Sequence, residues 1–212
     1  MVSRQLPARR SQPDDARGQA LGHVEPMAAA HRAQAVDLFV RLQDATAGAY
    51  PPRALLEHYY PPGSRGIERW LARGDQNRRY VFVLDDGDKV VGHVEVEELG
   101  DAMSDEQQGY WVEAFAAQPA FAEERTADRQ LRLDDLAVIK RLGVDPAWQG
   151  RDIGRQLLRR AIHGVEHDLR KVPALVVLKE LGAAQALYDS EGARKIGEFD
   201  EATGERMVSY IF

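Results

Sequence analysis

Apolar and polar residues recur along this chain in two different periods, and these periods predict its elements. Alternation or a short apolar run is typical of a strand, whereas recurrence after three and four positions is typical of a helix. Strands are expected at residues 21–27, 80–84, 89–96, 136–144, 174–178, 194–199 and 206–211. Helices are expected at residues 28–43, 54–60, 66–72, 105–117, 153–169 and 182–189. This order of elements predicts a mixed α/β sheet.

Turn residues separate these elements and delimit one domain. Asp85-Asp86-Gly87-Asp88 lies between two strand patterns and predicts a hairpin. Residues 1–18 are rich in Arg, Gln, Ser and Pro and predict a disordered, basic tail, which leaves residues 19–212 as the domain. The connection over residues 98–131 is too long for an ordinary loop, so we expect it to be functional or disordered.

Composition argues against several classes of protein. The chain has no run of 18 apolar residues, so no membrane-spanning helix is expected. It has no cysteine, which excludes disulfides and thiolate metal sites and fits a cytoplasmic protein in a reducing environment. Its net charge of -6 argues against binding to nucleic acid, which requires a basic face.

A Gly-rich bend between a strand and a helix carries the strongest chemical signal. The apolar run over residues 136–144 is followed by a turn, and the bend then spans residues 149–154. Unpaired amides at a helix start hold anions, and glycine lets a phosphate group approach the backbone. Arg151 and Arg155 add positive charge at the same place. We therefore expect a phosphorylated cofactor that is held mostly by backbone groups.

This bend resembles the signature Q/R-x-x-G-x-G/A of the GNAT superfamily of N-acetyltransferases, which also follows a strand and opens a helix. Gln149 matches the first position and Gly154 the last, while Asp152 stands where the family has its central glycine. The order of elements is also similar to that of the family over residues 21–212.

A second stretch, residues 184–197, resembles the family segment A-x-x-LY-x-x-x-GF-x-x-x-G. It reads AQALYDSEGARKIG and places Tyr188 at the tyrosine position. Ala193 replaces the usual aromatic residue, and Leu181 stands where an asparagine is common. Two motifs at the separation seen in the family are a stronger indication than the Gly-rich bend alone.

The resemblance implies both a fold and an activity. The fold would be a central, mostly antiparallel sheet with flanking helices. The activity would be direct transfer of an acetyl group from acetyl-CoA to a primary amine of a small molecule or peptide, without a metal, by a monomer or homodimer. The acceptor would be selected by the variable regions, here residues 44–75 and 98–131.

The resemblance also implies how acetyl-CoA would be held. Backbone groups at the strand end would pair with the pantetheine arm as an added strand does. The amides of the bend would hold the pyrophosphate. The cofactor-binding residues would then be Leu142, Gly143, Val144, Gln149, Gly150, Arg151, Asp152, Ile153, Gly154 and Arg155.

Among the departures from the family pattern, Asp152 has the clearest physical consequence. A carboxylate beside a pyrophosphate repels it by on the order of 1 kcal/mol at solvent-exposed distances. The carboxylate could instead turn away and cap the helix, where the helix dipole favours an acid. We expect the cap, with Arg151 and Arg155 offsetting the remaining repulsion.

The resemblance identifies the catalytic residues less directly than the cofactor-binding residues. Tyr188 lies where the family has its proton donor, so it would protonate the leaving thiolate; its alternative is packing in the core. The family position of the base falls on Val138, which cannot accept a proton. Glu95 is the candidate base, directly or through water, and a water chain to backbone carbonyls is an equal alternative. Otherwise Glu95, like Glu97, Asp134 and Asp135, is expected to be a solvated surface acid.

Two further alternatives concern metals and turnover. His163 and His167 lie four positions apart on one predicted helix, which is a spacing that metal ligands use, but no third ligand is near in sequence. We therefore expect no metal site. The departures from the family pattern leave open a catalytically weak acyl-CoA-binding or interaction module on the same fold.

Overall fold

The computed structural model of this chain describes residues 22–45, 78–84, 87–100, 105–126, 128–201 and 204–212. Seven strands of this described part form one sheet. They are β1 (Gly22–Pro26), β2 (Arg78–Leu84), β3 (Gly87–Glu98), β4 (Leu136–Val144), β5 (Val172–Leu178), β6 (Arg194–Asp200) and β7 (Arg206–Ile211). Their spatial order is β1-β2-β3-β4-β5-β7-β6, and neighbours are antiparallel except for the parallel pair β4 and β5.

The described residues also form five helices around this sheet. They are α1 (Arg32–Ala45), α2 (Asp105–Trp111), α3 (Pro119–Ala122), α4 (Ile153–His163) and α5 (Gly182–Ser190). Wider π-type turns continue α2 over Val112–Ala116 and α4 over Gly164–Leu169. A short 3-10 turn over Pro146–Trp148 links β4 to the bend before α4.

The predicted elements are confirmed wherever the structure describes them, and the sheet is mostly antiparallel, as the resemblance implied. Antiparallel pairing of β2 with β3 confirms the hairpin. The expected tail over residues 1–18 and the short helices at 54–60 and 66–72 lie outside the described residues. The long connection carries α2 and α3, and it buries Phe115 and Phe121.

One face of the sheet is apolar along its length and packs against α4. Leu157 and Leu158 of α4 are fully buried in one cluster with Val94 of β3 and Ile139 of β4. Apolar residues of α4 recur after three and four positions, and this spacing puts them on a single side of the helix. Burial of this side against the sheet fixes the position at which α4 begins.

The opposite face is covered in two separate apolar patches. Near one end, Leu38 of α1 packs with Val90 of β3. Near the other end, Phe115 and Phe121 pack in a cluster with Leu136 of β4. Between these patches β3 and β4 carry charged side chains, so the two faces of one sheet differ in chemistry.

β4 and β5 pair only where both strands begin. Their parallel register joins residues 136–138 to residues 172–174, after which β5 continues in pairing with β7. Among the described residues, β4 therefore has no strand partner on its β5 side over residues 139–144. This open edge leads directly into the bend that precedes α4.

β4 also bulges along this open part. Its register with β3 shifts between Lys140 and Gly143, so that Arg141 and Leu142 together face one residue of β3. Arg141 has φ +53°, in the left-handed region that favours glycine. A bulge redirects side chains, and such features are common beside active sites.

Candidate active site

The bend before α4 has the geometry that an anion site requires. The first hydrogen bond of α4 runs from the Gln156 N–H to the Asp152 carbonyl at 3.0 Å, so the amides of Ile153 and Gly154 precede it. Gly150 has φ +75°, and a Cβ there would meet no atom of the described residues within 4 Å. The bend therefore offers backbone donors at a helix N-terminus with open space beside them.

Two side chains hold this bend against its surroundings. The Gln149 side-chain amide donates to the Val144 carbonyl at 3.1 Å. The Asp145 carboxylate accepts from the Ala147 N–H at 3.0 Å and from Arg41 of α1 at 2.5 Å. Burial is the largest single effect and opposes ionisation of Asp145, but the hydrogen bonds from Arg41 and Ala147, together with the nearby positive charges, hold the pKa of Asp145 below its ordinary value. The end of β4 is thereby fixed to α1.

Asp152 does not cap α4 with its side chain, so the expected cap is wrong. The residue occupies the N-cap position at φ +63°, and its side chain makes no capping hydrogen bond to the described backbone. An aspartate caps a helix from extended backbone, and the left-handed conformation removes that geometry. The Asp152 carboxylate, 57% exposed, instead accepts from Arg155 at 2.9 Å. The positive φ also gives a physical reason for glycine at this position of the family pattern.

Arg155, which was expected beside the pyrophosphate, is engaged by carboxylates. Besides Asp152 it bonds Ser190 at 3.1 Å and Glu191, which follows α5. Arg159 bonds the same Glu191 carboxylate at 2.7 and 3.1 Å. Burial opposes ionisation of Glu191, 7% exposed, but the hydrogen bonds from both arginines hold its pKa below the ordinary value. We call Arg155, Arg159 and Glu191 the α4–α5 clamp.

A charged cluster lies beside the bulge of β4, on the face opposite α4. Glu95 is 0% exposed, so the expectation of a solvated surface acid is wrong for this residue. Arg141 donates to its carboxylate at 2.8 Å, and Lys140 lies 3.9 Å from it and also contacts Glu97. Strand alternation puts both glutamates on one side, and the bulge brings Arg141 to that side. We call these four residues, two acids and two bases, the polar cluster.

Asp134 and Asp135 lie apart from the polar cluster, at the start of β4. The Asp134 side chain is largely exposed, as expected. Asp135 accepts two hydrogen bonds from Arg129, at 2.7 and 2.5 Å. This pairing is the main reason that the pKa of Asp135 lies below its ordinary value. Asp135 therefore closes the end of the long connection rather than facing the open edge of β4.

Tyr188 lies on α5 and belongs to the apolar cluster on the α4 side of the sheet. Its side chain is 8% exposed, and the ring meets the Tyr210 ring edge-on, with centroids 6.1 Å apart. Leu142 and Val144 of the open edge pack against the same cluster. The structure thus brings the candidate proton donor to the face along which the cofactor arm was expected. This placement fits both the donor and the core interpretation.

Gly154 marks the place where β4, α4 and α5 meet. A Cβ at this position would lie 3.6 Å from Val144 and 3.9 Å from Leu187, which are ordinary contacts. An alanine therefore fits there, whereas a larger side chain has to displace one of these neighbours or extend towards the bend. Gly154, one of the expected cofactor residues, therefore lies next to α5, the helix that carries Tyr188.

The two histidines of the α4 region have neighbouring rings that are tilted to each other by 40°. The rings of His163 and His167 have centroids 4.3 Å apart. In the described ranges, no group of three or more metal-ligating side chains could hold a metal ion. None of the helices that the structure describes is long and apolar enough to cross a membrane.

Sequence reasoning missed Arg141, Arg159 and Glu191. Arg141 reads as an ordinary strand residue, and nothing local in the sequence signals the bulge. The clamp had a detectable signal, because Arg155 and Arg159 are four positions apart on one side of a predicted helix. Glu191 directly precedes Gly192, which has φ +90° and lies just after the end of α5.

The chain matches the model of the acetyltransferase (GNAT) family over residues 39–192. Solved structures with the same fold include a putative acetyltransferase from Salmonella typhimurium with its cofactor acetyl-CoA, at 14% identity and a TM-score of 0.58, covering 90% of this chain and 92% of that one. The ribosomal-protein-S18-alanine N-acetyltransferase from Escherichia coli has 16% identity and a TM-score of 0.55, with 90% and 92% covered. A mutant spermidine N-acetyltransferase from Vibrio cholerae has 16% identity and a TM-score of 0.56, with 89% and 93% covered.

These comparisons differ in what they establish. At such identities the similarity to solved structures shows the fold alone, and no curated protein matches the sequence. The family model, by contrast, covers well over half of the chain and includes β4, the bend and α5. The chain therefore belongs to the GNAT family of acetyltransferases.

Proposed function

We propose that this protein transfers the acetyl group of acetyl-CoA directly to a primary amine in a ternary complex. The observation that carries the proposal is the open edge of β4, which leads into backbone donors at the start of α4. An extended arm that ends in phosphates fits this arrangement, because the strand edge can pair with the arm and the helix start can hold the phosphates. The similar structure from Salmonella typhimurium, described with acetyl-CoA as cofactor, supports the choice of cofactor.

The acceptor we propose is a primary amine of a small molecule or peptide. Among the similar structures, one enzyme is named for an alanine of a ribosomal protein and another for spermidine, so both kinds of amine occur on this fold. Of the two expected acceptor regions, residues 46–75 of the first lie outside the described residues, whereas the second, residues 98–131, is described except for 101–104 and 127. The acceptor therefore has to be identified by assay.

We assign proton donation to Tyr188. In the transfer, the amine nitrogen forms a bond to the acyl carbon and gives a proton to water, while the carbon–sulfur bond breaks and the thiolate takes a proton. The phenol of Tyr188 supplies that proton and recovers one from water. Support comes from its position in one cluster with Leu142 and Val144, along which the arm would run.

The surroundings of Glu95 support a positioning role better than that of a base. Its carboxylate is fully buried and bonded to Arg141. Protonation would leave the guanidinium without this charge, and breaking a buried ion pair costs about 3–5 kcal/mol. We therefore propose that water, relayed to backbone carbonyls, removes the amine proton. If Glu95 is the base, Glu95→Gln abolishes the acidic limb of the pH–rate profile; a positioning role lowers kcat without changing that limb.

One observation bears on the alternative of a catalytically weak acyl-CoA-binding or interaction module, because the charge at the bend sets how firmly the cofactor is held. The exposed Asp152 carboxylate lies at the bend, and the charge of Arg155 is already engaged by Asp152 and Glu191. The bend therefore has less net positive charge than its arginines indicate. Such a protein would bind acetyl-CoA but release little thiol with any amine.

The test is thiol release from acetyl-CoA with a panel of amines, read together with the mass of the product. The panel contains polyamines, aminoglycosides, amino acids and peptides with free N-termini, and Tyr188→Phe serves as the matched variant. Release that depends on one amine and yields its acetylated product supports the proposed enzyme. Binding of acetyl-CoA without product from any amine favours the module, and absence of binding contradicts both.

A further inference from the structure

The chain reaches the bend before α4 through a short turn, and one buried acid holds this turn. Asp145 follows β4, and its carboxylate accepts from the Ala147 N–H at 3.0 Å, within the turn over Pro146–Trp148. Its backbone is held as well, because its N–H donates to the Val91 carbonyl at 2.8 Å and its carbonyl accepts from the Trp148 N–H at 2.7 Å. The path from β4 into the bend therefore depends on the position of Asp145.

The charge of this acid is balanced from outside the turn. The Asp145 side chain is 5% exposed, and Arg41 of α1 donates to its carboxylate at 2.5 Å. Burial alone would raise the pKa of Asp145, and the hydrogen bond from Arg41 comes first among the interactions that lower it. The Ala147 N–H and the charge of Lys89 also lower it. Arg41 itself is partly exposed and also pairs with Asp37, four positions earlier on α1, at 3.3 Å.

Apolar contacts seat α1 against the same end of the sheet. Leu38 of α1 is fully buried and packs with Val90 of β3. One turn later on α1, the Leu42 side chain occupies the space above Gly143 of β4, where a Cβ would overlap its tip. The glycine thus lets α1 approach β4 closely. This seating brings Arg41, which directly precedes Leu42, to the buried carboxylate.

We propose that Arg41 is a positioning residue for the cofactor, which acts through Asp145 on the bend rather than by contact with the cofactor. The inference rests on the proposed function and adds that the hold on the phosphates depends on α1, a helix outside the bend. Without Arg41, the Asp145 carboxylate would be buried without its guanidinium partner, which is unfavourable. The carboxylate would then turn towards water and release the Ala147 N–H, and the turn would loosen.

The expected effect is on binding because the bend holds its ligand by backbone groups. Donors that are already in place bind a phosphate well, whereas donors that must be ordered during binding lose affinity. α4 itself is fixed by burial of Leu157 and Leu158 in the core. The bend is exposed at Gly150, and the turn that Asp145 holds precedes it directly. A looser turn should therefore weaken the binding of phosphates while α4 stays packed.

The experiment measures the affinity for CoA by calorimetry in wild type, Arg41→Met and Arg41→Lys, and in two double variants. Arg41→Met/Asp145→Asn removes the buried charge but keeps a side-chain oxygen that can accept from the Ala147 N–H. Arg41→Met/Asp37→Asn is the matched control, because it restores the same net charge beside Arg41 but leaves Asp145 charged and without its partner. Melting temperatures check that each variant is folded at the temperature of the titration. If Arg41→Met does not fold, Arg41→Gln replaces it in all three variants.

We expect Arg41→Met to bind CoA about 10-fold more weakly than wild type, and Arg41→Lys to stay within about threefold of wild type. Arg41→Met/Asp145→Asn should return to within about threefold of wild type, because the turn is held again without a buried charge. Arg41→Met/Asp37→Asn should remain about as weak as Arg41→Met, although the two double variants have the same net charge.

The other outcomes overturn the inference. Wild-type affinity of Arg41→Met would show that the bend does not depend on Arg41. If neither double variant recovers, Arg41 contacts the cofactor directly, and if both recover equally, only the charge of Arg41 matters. These results contradict the positioning role and leave the proposed function intact. If wild type does not bind CoA, the proposed function fails and this inference fails with it.

Discussion

The two faces of the central sheet are covered in different ways. The face towards α4 is one continuous apolar cluster from Tyr80 to Tyr210. The opposite face has two apolar patches, and the polar cluster of Glu95 and Arg141 lies between them. Packing alone accounts for the first face. The second buries charges, which are expensive to remove from water unless they are paired.

The polar cluster interrupts the second face at the place where β4 loses its second strand partner. Residues 137 and 138 are paired on both sides and are apolar, whereas residues 139–144 are paired on one side, bulge after Lys140 and include the charged Lys140 and Arg141. The regular half of β4 therefore belongs to the fold and the irregular half to the candidate site. Five substitutions, from the largest expected effect to the smallest, test this division.

The largest effect is expected from Arg141→Met, which leaves the Glu95 carboxylate buried without its guanidinium. Breaking a buried pair in this way costs about 3–5 kcal/mol of unfolding free energy. The double variant Glu95→Met/Arg141→Met removes both charges and should cost clearly less than the single one. Urea unfolding of both variants measures this, and a double variant as unstable as the sum of the two single ones would contradict the pairing.

On the apolar face, Leu157→Ala is expected to cost about 2–5 kcal/mol of unfolding free energy, because it opens a cavity in a closely packed core. Leu157 is fully buried, and a Cβ on Gly92 would lie only 2.8 Å from its side chain. Val112→Ala is the control, since Val112 is an exposed apolar residue and should change stability by about 0.5 kcal/mol or less. A small effect of Leu157→Ala would mean that α4 is not packed as described.

The apolar sides of both faces could be predicted in outline from the sequence, but the irregular features beside them could not. The period of apolar residues depends on local geometry, so the buried sides of α4 and β4 were recognisable. The bulge at Arg141 depends on pairing with β3, more than 40 residues away, and has no local pattern. The cap at Asp152 was expected from residue type, but capping depends on φ, which the sequence does not give. Glu191 was missed because its partners lie on another helix.

Tyr188→Phe tests the one candidate catalytic group on the apolar face. We expect a loss of roughly 10- to 1,000-fold in kcat with little change in acetyl-CoA affinity, because the proposed interaction forms only as the thioester breaks. Tyr210→Phe is the matched control, since its hydroxyl donates to Gln185 at 3.2 Å and its ring lies beside that of Tyr188. It should lower stability and keep turnover. Wild-type turnover of Tyr188→Phe across neutral and mildly alkaline pH would make Tyr188 a packing residue.

The α4–α5 clamp borders the apolar face and predicts a pH dependence. The pKa of Glu191 is held below its ordinary value, so its contribution to stability is present above the unfolded pKa of about 4.3 and is lost as pH falls through the lower folded value. The difference in melting temperature between wild type and Glu191→Gln should therefore be largest at neutral pH and shrink below about pH 4. Glu180→Gln, an exposed change just before α5, should show no such trend. A difference that is constant with pH would contradict the clamp.

The smallest effect is expected from Asp152→Gly, at the bend where the apolar face ends. A side-chain cap would have made this variant less stable by about 1 kcal/mol. Because Asp152 has φ +63° and makes no cap within the described structure, glycine relieves backbone strain, and the exposed pair with Arg155 contributes little. We expect the melting temperature to stay the same or rise by up to about 4 °C. Affinity for acetyl-CoA should stay the same or improve, since a negative charge beside the phosphates is removed.

Asp152→Asn separates the two contributions to this result, because asparagine tolerates positive φ and has no charge. If charge alone matters, Asp152→Asn and Asp152→Gly improve affinity for acetyl-CoA equally, and only the glycine variant gains stability. Calorimetry and thermal unfolding of the two variants in the same buffer measure both quantities. A large loss of affinity in either variant would show that the Asp152 carboxylate makes a favourable contact with the cofactor, and the bend would then belong to the binding site by side chain as well as by backbone.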